Sequence, residues 1–175
     1  MKRTATATWA GTLTRGSGQL TTQSHALAEA PISFSKRFGD EVGTNAEELI
    51  AAAHASCYTM TLTYLLGIAG TPPERIETEA EVTVARDGAG WTVTGIHLRV
   101  AAEVPGAAAA AVREAARQAK AGCLVSRLVN VPITLDLMVP SPSEAEDHAD
   151  TGPTATRSRH TGTGPEGMVT WHVIP

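Results

Sequence analysis

The fold is decided by the stretch Asn45-Ala46-Glu47-Glu48-Leu49-Ile50-Ala51-Ala52-Ala53-His54-Ala55-Ser56-Cys57-Tyr58-Thr59-Met60-Thr61-Leu62-Thr63-Tyr64-Leu65-Leu66-Gly67. It predicts one long helix with a cysteine near its middle. Asn45 is a good N-cap residue, and Glu48, three residues later, completes a capping box. Thr44 and Glu47 repeat that pattern one residue earlier, so the sequence leaves open which glutamate caps the helix.

The predicted helix ends at Gly67, because Gly70, Pro72 and Pro73 prevent its continuation. Apolar residues lie all round this helix, which is typical of a buried central helix. Polar residues along it, among them His54, interrupt the roughly 18 apolar residues that a membrane span needs. We therefore expect the core helix of a globular protein.

Composition narrows the class of protein. The chain has 175 residues, of which 42% are hydrophobic and 4% aromatic, so one domain with an aliphatic core is expected. The formal net charge of -4 gives no reason to expect nucleic acid or an anionic membrane as a partner. No apolar signal segment follows Met1, which favours a cytoplasmic location. Two cysteines in a chain of this size do not make a disulfide scaffold.

Around the central helix the patterns predict an α+β fold with antiparallel sheets, because the element order leaves few parallel crossovers. Glycines mark a hairpin tip at 16–18, residues 87–90 form a hairpin connection, and a phase slip near Thr94 suggests a β-bulge. Strands are predicted over 4–9, 12–14, 19–22, 32–38, 75–86, 91–104 and 131–139, and helices over 107–121 and 124–129.

The chain divides into two parts. Residues 1–139 form the predicted domain, and residues 140–175 form a polar tail with too little apolar material to offset the entropy of ordering it. The tail is therefore predicted to be disordered. Its last segment, 168–174, is apolar enough to form a strand or a docking segment.

Two cysteines are the first candidates for chemistry. Cys57 is either a small buried hydrophobe or a reactive thiol. A mid-helix thiol gains nothing from the N-terminus of its helix, so the pKa of Cys57 should stay high unless a cation lies beside it. Cys123 follows the helix break at Gly122, next to Lys120 and near a new helix N-terminus, so its surroundings are predicted to be more acidifying. Cys123 is a candidate resolving thiol.

Arg37 and Glu47 are either solvated surface charges or an ion pair that holds a guanidinium over a thiolate. Glu47 and Cys57 are ten residues apart, about 15 Å along a helix and on different faces. If they serve one site, a second copy of the chain must bring them together. A metal site on His54, Cys57 and Cys123 is a further hypothesis, although the usual zinc spacing is missing.

Several short motifs stand in a characteristic order along the chain: Arg37-Phe38, Gly43-Thr44-Asn45, Glu47-Glu48-Leu49-Ile50, Ala52-Ala53-His54-Ala55, Cys57, Ala119-Lys120-Ala121-Gly122-Cys123 and Val125-Ser126. With these motifs the chain resembles the osmotically inducible protein C (OsmC) branch of the OsmC/Ohr family over about residues 4–139. The order and spacing of the motifs and both cysteines match that family, whereas Ala46 replaces a proline that is common after the N-cap in the family.

This resemblance implies an intertwined homodimer with sheets wrapped around long central helices and sites at the subunit interface. It implies a thiol-dependent peroxidase that reduces organic hydroperoxides, and hydrogen peroxide less well, in oxidative or osmotic stress defence. By similarity Cys57 is the peroxidatic thiolate and Cys123 the resolving thiol, which form a disulfide. Arg37 and Glu47 match the activating pair, contributed by the partner chain, and Glu48 remains an alternative partner of Arg37.

The resemblance also implies an external reductant, a lipoylated protein or a small dithiol, with no metal, flavin or haem. Apolar walls that include Phe34, Phe38 and Met60 would favour organic peroxides. An alternative from a different class is a non-catalytic dimeric protein that binds a small ligand in the same pocket and keeps inert thiols.

Overall fold

The computed structural model describes residues 1–88 and 90–139. The predicted tail, 140–175, and the docking segment suggested at 168–174 lie outside the described residues. The chain forms two three-stranded sheets and four helices within the described part. In chain order the elements are β1 (Ala5–Ala10), β2 (Ser17–Thr22), β3 (Ala30–Ser33), α1 (Phe34–Phe38), α2 (Ala46–Ile68), β4 (Arg75–Asp87), β5 (Gly90–Glu103), α3 (Ala109–Gly122), α4 (Leu124–Leu128) and β6 (Ile133–Met138).

Helix α2 begins as the sequence predicts. Asn45 has an extended backbone, and its side-chain oxygen accepts a hydrogen bond from the backbone N–H of Glu48. Asn45 is therefore the N-cap and Thr44 is not. The predicted end is wrong by one residue, because Gly67 stays helical and Ile68 is the last helical residue. The left-handed residue that ends the helix is Gly70, with φ of 77°, a conformation that glycine adopts without steric cost.

One stripe of α2 is buried and the rest is not. His54, Tyr58, Leu62 and Leu66, spaced four residues apart, are the buried residues of the helix. The last three pack in the core with residues of β5 and α3. The expectation that all sides of the helix are buried is therefore wrong for a single chain. Apolar side chains on its other faces are exposed, with Met60 as the most exposed.

By length and composition α2 is the one helix in the described part that could cross a membrane. Its polar residues therefore do not exclude a span by themselves, contrary to the sequence-based argument. The packing of its buried stripe against strands and helices of the same chain is typical of the core helix of a globular protein.

The first sheet contains β1, β2 and β3 in antiparallel order. The predicted hairpin tip at 16–18 is wrong: Ser17 and Gly18 lie in β2, and Gly18 pairs with Trp9. Residues 12–14, predicted as a strand, form the turn. All six residues of β1 are exposed, so this sheet presents an uncovered surface.

Residues 32–38 are not one strand, as the sequence predicts. Strand β3 ends at Ser33, whose hydroxyl accepts a hydrogen bond from the N–H of Lys36 and caps the short helix α1. Phe34 and Phe38 still share a face because residues four apart are neighbours on a helix. This turn of helix places Arg37 toward the start of α2.

The second sheet has the order β4-β5-β6. A register shift opposite Thr94 confirms the predicted bulge, since Thr83 pairs with Gly95 and Val84 with Val93. The prediction of purely antiparallel sheets is wrong, because β6 pairs with β5 in parallel. Helices α3 and α4 supply the crossover that a parallel pair requires.

Candidate active site

The guanidinium of Arg37 and the carboxylate of Glu47 form an ion pair within one chain. Arg37 Nη2 lies 2.6 Å from Glu47 Oε1, and Arg37 Nε donates to both carboxylate oxygens at 3.1 and 3.2 Å. The hydrogen bonds from Arg37 lower the pKa of Glu47. Of the two glutamates that the sequence left open, Glu47 is therefore the partner of Arg37, while Glu48 lies at the capped turn.

A second cluster fixes the segment that carries Arg37. Glu41 accepts hydrogen bonds from Lys36 Nζ at 2.6 Å, from Ser33 Oγ at 3.1 Å and from the Ser35 hydroxyl. Lys36, followed by the two serines, lowers the pKa of Glu41 to about 2. Lys36 Nζ also donates to Val42 O at 2.8 Å. These contacts tie α1 to the loop before α2, and the sequence analysis missed them because no periodic pattern signals them.

A cluster of three aromatic rings lies beside the guanidinium, which contacts the ring of Phe38. The ring centroids of Phe34 and Phe38 are 5.1 Å apart, those of Phe38 and Trp91 are 5.4 Å apart, and Arg37 Cζ lies 4.9 Å from the centroid of Phe38. Trp91 comes from the start of β5, so the second sheet also contributes to this site. Sequence analysis did not identify Trp91.

An apolar cavity of about 340 Å³ opens beside Arg37. Phe34 and Phe38 line it, as predicted, whereas the predicted Met60 is not among the lining residues. The first sheet forms much of its wall. The other apolar residues of the lining are Ala7, Trp9, Leu13, Leu20, Ile32, Ala46 and Leu49.

The two cysteines lie close together in the core although they are far apart in sequence. Cys57 is half-buried in α2, and Cys123, at the break between α3 and α4, is fully buried. Both thiols are free, and the Cys123 thiol lowers the pKa of Cys57 as a hydrogen-bond donor. Their proximity makes the pair a candidate for a disulfide.

The environment of Cys57 stabilises its thiolate. Burial alone would raise the pKa of this thiol, but hydrogen bonds from the Val125 N–H, the Cys123 thiol, the Leu124 N–H and the Thr61 hydroxyl outweigh it, and the pKa is lowered. The prediction that the pKa of Cys57 stays high unless a cation lies beside it is therefore wrong. The backbone N–H groups belong to a different helix, α4, which tertiary packing brings to Cys57.

The predicted order of acidity is reversed. Burial raises the pKa of Cys123, and its hydrogen bonds from Ser126 do not compensate. The cation predicted to acidify it, Lys120, donates instead to Ile133 O at 2.9 Å. Cys57 is therefore the thiol suited to nucleophilic attack, and Cys123 remains a protonated neighbour at neutral pH.

The metal hypothesis finds no support in residues 1–88 and 90–139, where no group of three His, Cys, Asp or Glu side chains is arranged to hold a metal ion. His54 is fully buried, and its Nε2 lies 2.9 Å from Ser126 Oγ. The ring faces a serine hydroxyl and not a shared ligand set.

The ion pair and the thiols occupy different parts of one chain. Glu47 holds Arg37 at the first turn of α2, whereas Cys57 follows ten residues later, about 15 Å further along the helix axis. A single chain therefore has a cation beside an apolar cavity at one end of α2 and a thiolate site in its middle.

Comparisons with known proteins agree with this architecture. Residues 38–138 match the family model described as OsmC-like protein. The peroxiredoxin OsmC of Escherichia coli (strain K12) is 43% identical over 133 residues, which cover 76% of this chain and 93% of that protein. The peroxiredoxin OsmC of Shigella flexneri matches with the same identity and coverage.

Solved structures with the same fold are more distant in sequence. An OsmC-like protein from Vibrio cholerae is 15% identical with a TM-score of 0.64, and the match covers 79% of this chain and 99% of that one. The organic hydroperoxide resistance protein OhrB of Bacillus subtilis is 24% identical with a TM-score of 0.60, covering 77% and 98%. These structures establish the fold. The family model and the curated relatives show that the chain belongs to the OsmC family.

Proposed function

We infer that this protein is a thiol-dependent peroxidase that reduces organic hydroperoxides, and hydrogen peroxide less well. The observation that carries this inference is the contact between Cys57 and Cys123, in which one thiol has a lowered pKa and the other is a buried, protonated neighbour. Curated relatives named peroxiredoxin at 43% identity support the same activity.

The reaction begins when the Cys57 thiolate attacks the O–O bond of the hydroperoxide. The bond breaks, an alkoxide leaves and takes a proton from water to become the alcohol, and Cys57 becomes a sulfenic acid. Cys123 then condenses with the sulfenic acid, which forms the Cys57–Cys123 disulfide and releases water. The early disulfide protects Cys57 from further oxidation. A dithiol, free or carried by a lipoylated protein, restores both thiols by exchange, and these steps draw on sulfur chemistry alone.

We propose that the working unit is a homodimer in which Arg37 and Glu47 of one chain serve Cys57 of the other. Two features support this arrangement. Within a chain Glu47 and Cys57 lie on different turns of α2, and the fully exposed β1 together with the exposed apolar side chains of α2 leaves a large surface uncovered. Exposed apolar patches of this kind mark interfaces between subunits.

In that arrangement the guanidinium polarises the peroxide and stabilises the Cys57 thiolate, and Glu47 keeps its orientation. The apolar cavity beside Arg37 fits the hydrocarbon part of an organic hydroperoxide, which favours such substrates over hydrogen peroxide. Free thiols and a dithiol reductant fit a reducing, cytoplasmic environment and a role in oxidative or osmotic stress defence.

A coupled peroxidase assay with cumene hydroperoxide and a small dithiol tests this function. Full-length protein should turn over, C57S should be inactive, and C123S should react once and then accumulate sulfinic acid at Cys57. Slow alkylation of Cys57 together with no turnover would instead support the binding protein that the sequence left as an alternative. A chain truncated after Val139 should keep the full rate, because the described site lies before that residue.

A further inference from the structure

Four side chains lie in succession from the thiol pair into the core. Cys57 and Cys123 affect each other's pKa, and Ser126, three residues after Cys123 in α4, stabilises the Cys123 thiolate through its backbone N–H and its hydroxyl. Ser126 Oγ also lies 2.9 Å from Nε2 of His54. The mechanism above uses the two cysteines and leaves Ser126 and His54 without a role.

The second step of the reaction needs a base at this position. Cys123 must lose its proton to attack the Cys57 sulfenic acid, yet it is fully buried and its pKa is raised. In the reduced protein the Cys123 thiol donates to the Cys57 sulfur. Once Cys57 is a sulfenic acid, its thiolate no longer accepts the hydrogen bond from Cys123. The neighbouring acceptor for the Cys123 proton is then the Ser126 hydroxyl.

His54 is suited to take the proton that Ser126 passes on. Burial lowers the pKa of His54, so the ring is neutral at physiological pH and one of its nitrogens has a free lone pair. Within the described residues its Nδ1 is buried without a hydrogen-bond partner, so Nε2, which faces Ser126, is the nitrogen placed for transfer.

We propose that Ser126 and His54 form a proton relay for the resolving step, with Ser126 in contact with Cys123 and His54 acting through Ser126. This proposal rests on the proposed function. The proton of Cys123 passes to Ser126 while the serine proton passes to His54 Nε2. The Cys123 sulfur forms the S–S bond, the S–O bond of the sulfenic acid breaks, and hydroxide leaves with the electron pair.

The relay then runs in reverse. Burial disfavours the imidazolium, so His54 returns its proton through Ser126 to the departing hydroxide. The products are one disulfide and one water, with His54 neutral again. Ser126 is thus a catalytic residue of the second step, and His54 is a positioning residue that supplies the proton acceptor.

Single-turnover kinetics with one equivalent of cumene hydroperoxide separate the two steps. Peroxide consumption reports the attack by Cys57, and trapping with a sulfenic-acid reagent followed by mass spectrometry reports the condensation with Cys123. In S126A the first rate should stay within about twofold, while the second falls about 100-fold, as expected when a general base is lost. S126T, which keeps the hydroxyl, should restore the second rate to within a few fold.

Two further variants complete the design. S56A is the matched control, since Ser56 adjoins Cys57 in sequence but donates its hydroxyl to Ala53 O, and it should change neither rate. H54Q can still bond Ser126 but does not act as a base, and it should slow the second step while leaving the first intact.

The outcomes separate this proposal from the proposed function. A wild-type condensation rate in folded S126A or H54Q would overturn the relay, as would a failure of S126T to exceed S126A. If the wild-type protein itself forms no sulfenic acid on Cys57, the proposed function is wrong and the relay falls with it.

Discussion

Nε of Arg37 donates to both carboxylate oxygens of Glu47, and Nη2 of the same guanidinium adds a third bond at 2.6 Å to Oε1. Three hydrogen bonds from one planar group to one carboxylate fix the position and the plane of the guanidinium. Its remaining nitrogen, Nη1, is not used in these bonds and is free to face a substrate oxygen or a thiolate of the second chain in the proposed dimer.

Replacing Glu47 by glutamine should lower kcat/KM for cumene hydroperoxide about tenfold, because a charged hydrogen-bonded pair is lost from a partly exposed site. E48Q is the matched control, as Glu48 is the neighbouring carboxylate and lies outside the pair. Steady-state kinetics of both variants check the prediction. Equal effects of the two substitutions would contradict the assigned partner of Arg37.

The rate of alkylation of Cys57 should rise with pH and level off below the ordinary thiol pKa of 9.0, because the pKa of Cys57 is lowered. Deprotonation produces the nucleophile, so a lowered pKa moves the rise to lower pH. Iodoacetamide labelling of C123S reports Cys57 alone, and the serine hydroxyl replaces the Cys123 thiol as a hydrogen-bond donor.

Within that background, removal of the Thr61 hydroxyl should move the profile to higher pH. Thr61 also bonds the Cys57 carbonyl oxygen at 2.8 Å, and its single proton turns to the sulfur when the thiolate forms. T59V is the control, since the Thr59 hydroxyl bonds Ala55 O and Thr78. An unshifted T61V profile would show that the backbone N–H groups of α4 suffice.

Substitutions of two neighbouring residues at the start of α2 should have different effects on the free energy of unfolding. N45A should lower the free energy of unfolding by about 1 kcal/mol, the usual effect of losing an N-cap. T44V should be neutral or stabilising, because the Thr44 hydroxyl is buried and has no hydrogen-bond partner among residues 1–88 and 90–139. A methyl group of the same shape removes that unsatisfied hydroxyl. Denaturant melts measure both, and a larger loss in T44V would reassign the cap.

Subunit complementation tests the shared site of the proposed homodimer. R37M and C57S should each have little activity alone. In a hybrid dimer, Arg37 of the C57S chain would meet Cys57 of the R37M chain, so one of two sites would work and the hybrid would have about half the wild-type rate. Co-expression with two different tags isolates the hybrid. A hybrid as inactive as its parents would place each site within one chain.

Local sequence patterns predicted the helices and strands correctly where the hydrophobic residues followed a single periodicity, that of a strand or that of a helix. The N-cap at Asn45, the bulge at Thr94 and the long strands β4 and β5 follow from capping chemistry and alternation. The strand predicted over 34–38 is wrong. Phe34 and Phe38 share one face in a strand as well as in a helix, and Ser33 stabilises the helix by capping it.

The sequence named candidate residues for the site but not the electrostatics that surround them. The two cysteines were candidates by residue type, and an ion pair of Arg37 and Glu47 was one of two interpretations, which the family motifs favoured. The N–H groups that lower the pKa of Cys57 come from α4, nearly seventy residues away in the chain. Neither that contact nor the parallel pairing of β6 is encoded in a local pattern, since both depend on how the crossover packs.

The complete burial of Cys123 beside the half-buried Cys57 determines which sulfur of the disulfide the reductant attacks. An incoming thiolate needs a straight line of approach to the sulfur it attacks, and only the Cys57 side of the disulfide offers one. The mixed disulfide with the reductant would therefore form on Cys57, with Cys123 as the leaving group, and the enzyme would present each donor with a single electrophilic sulfur.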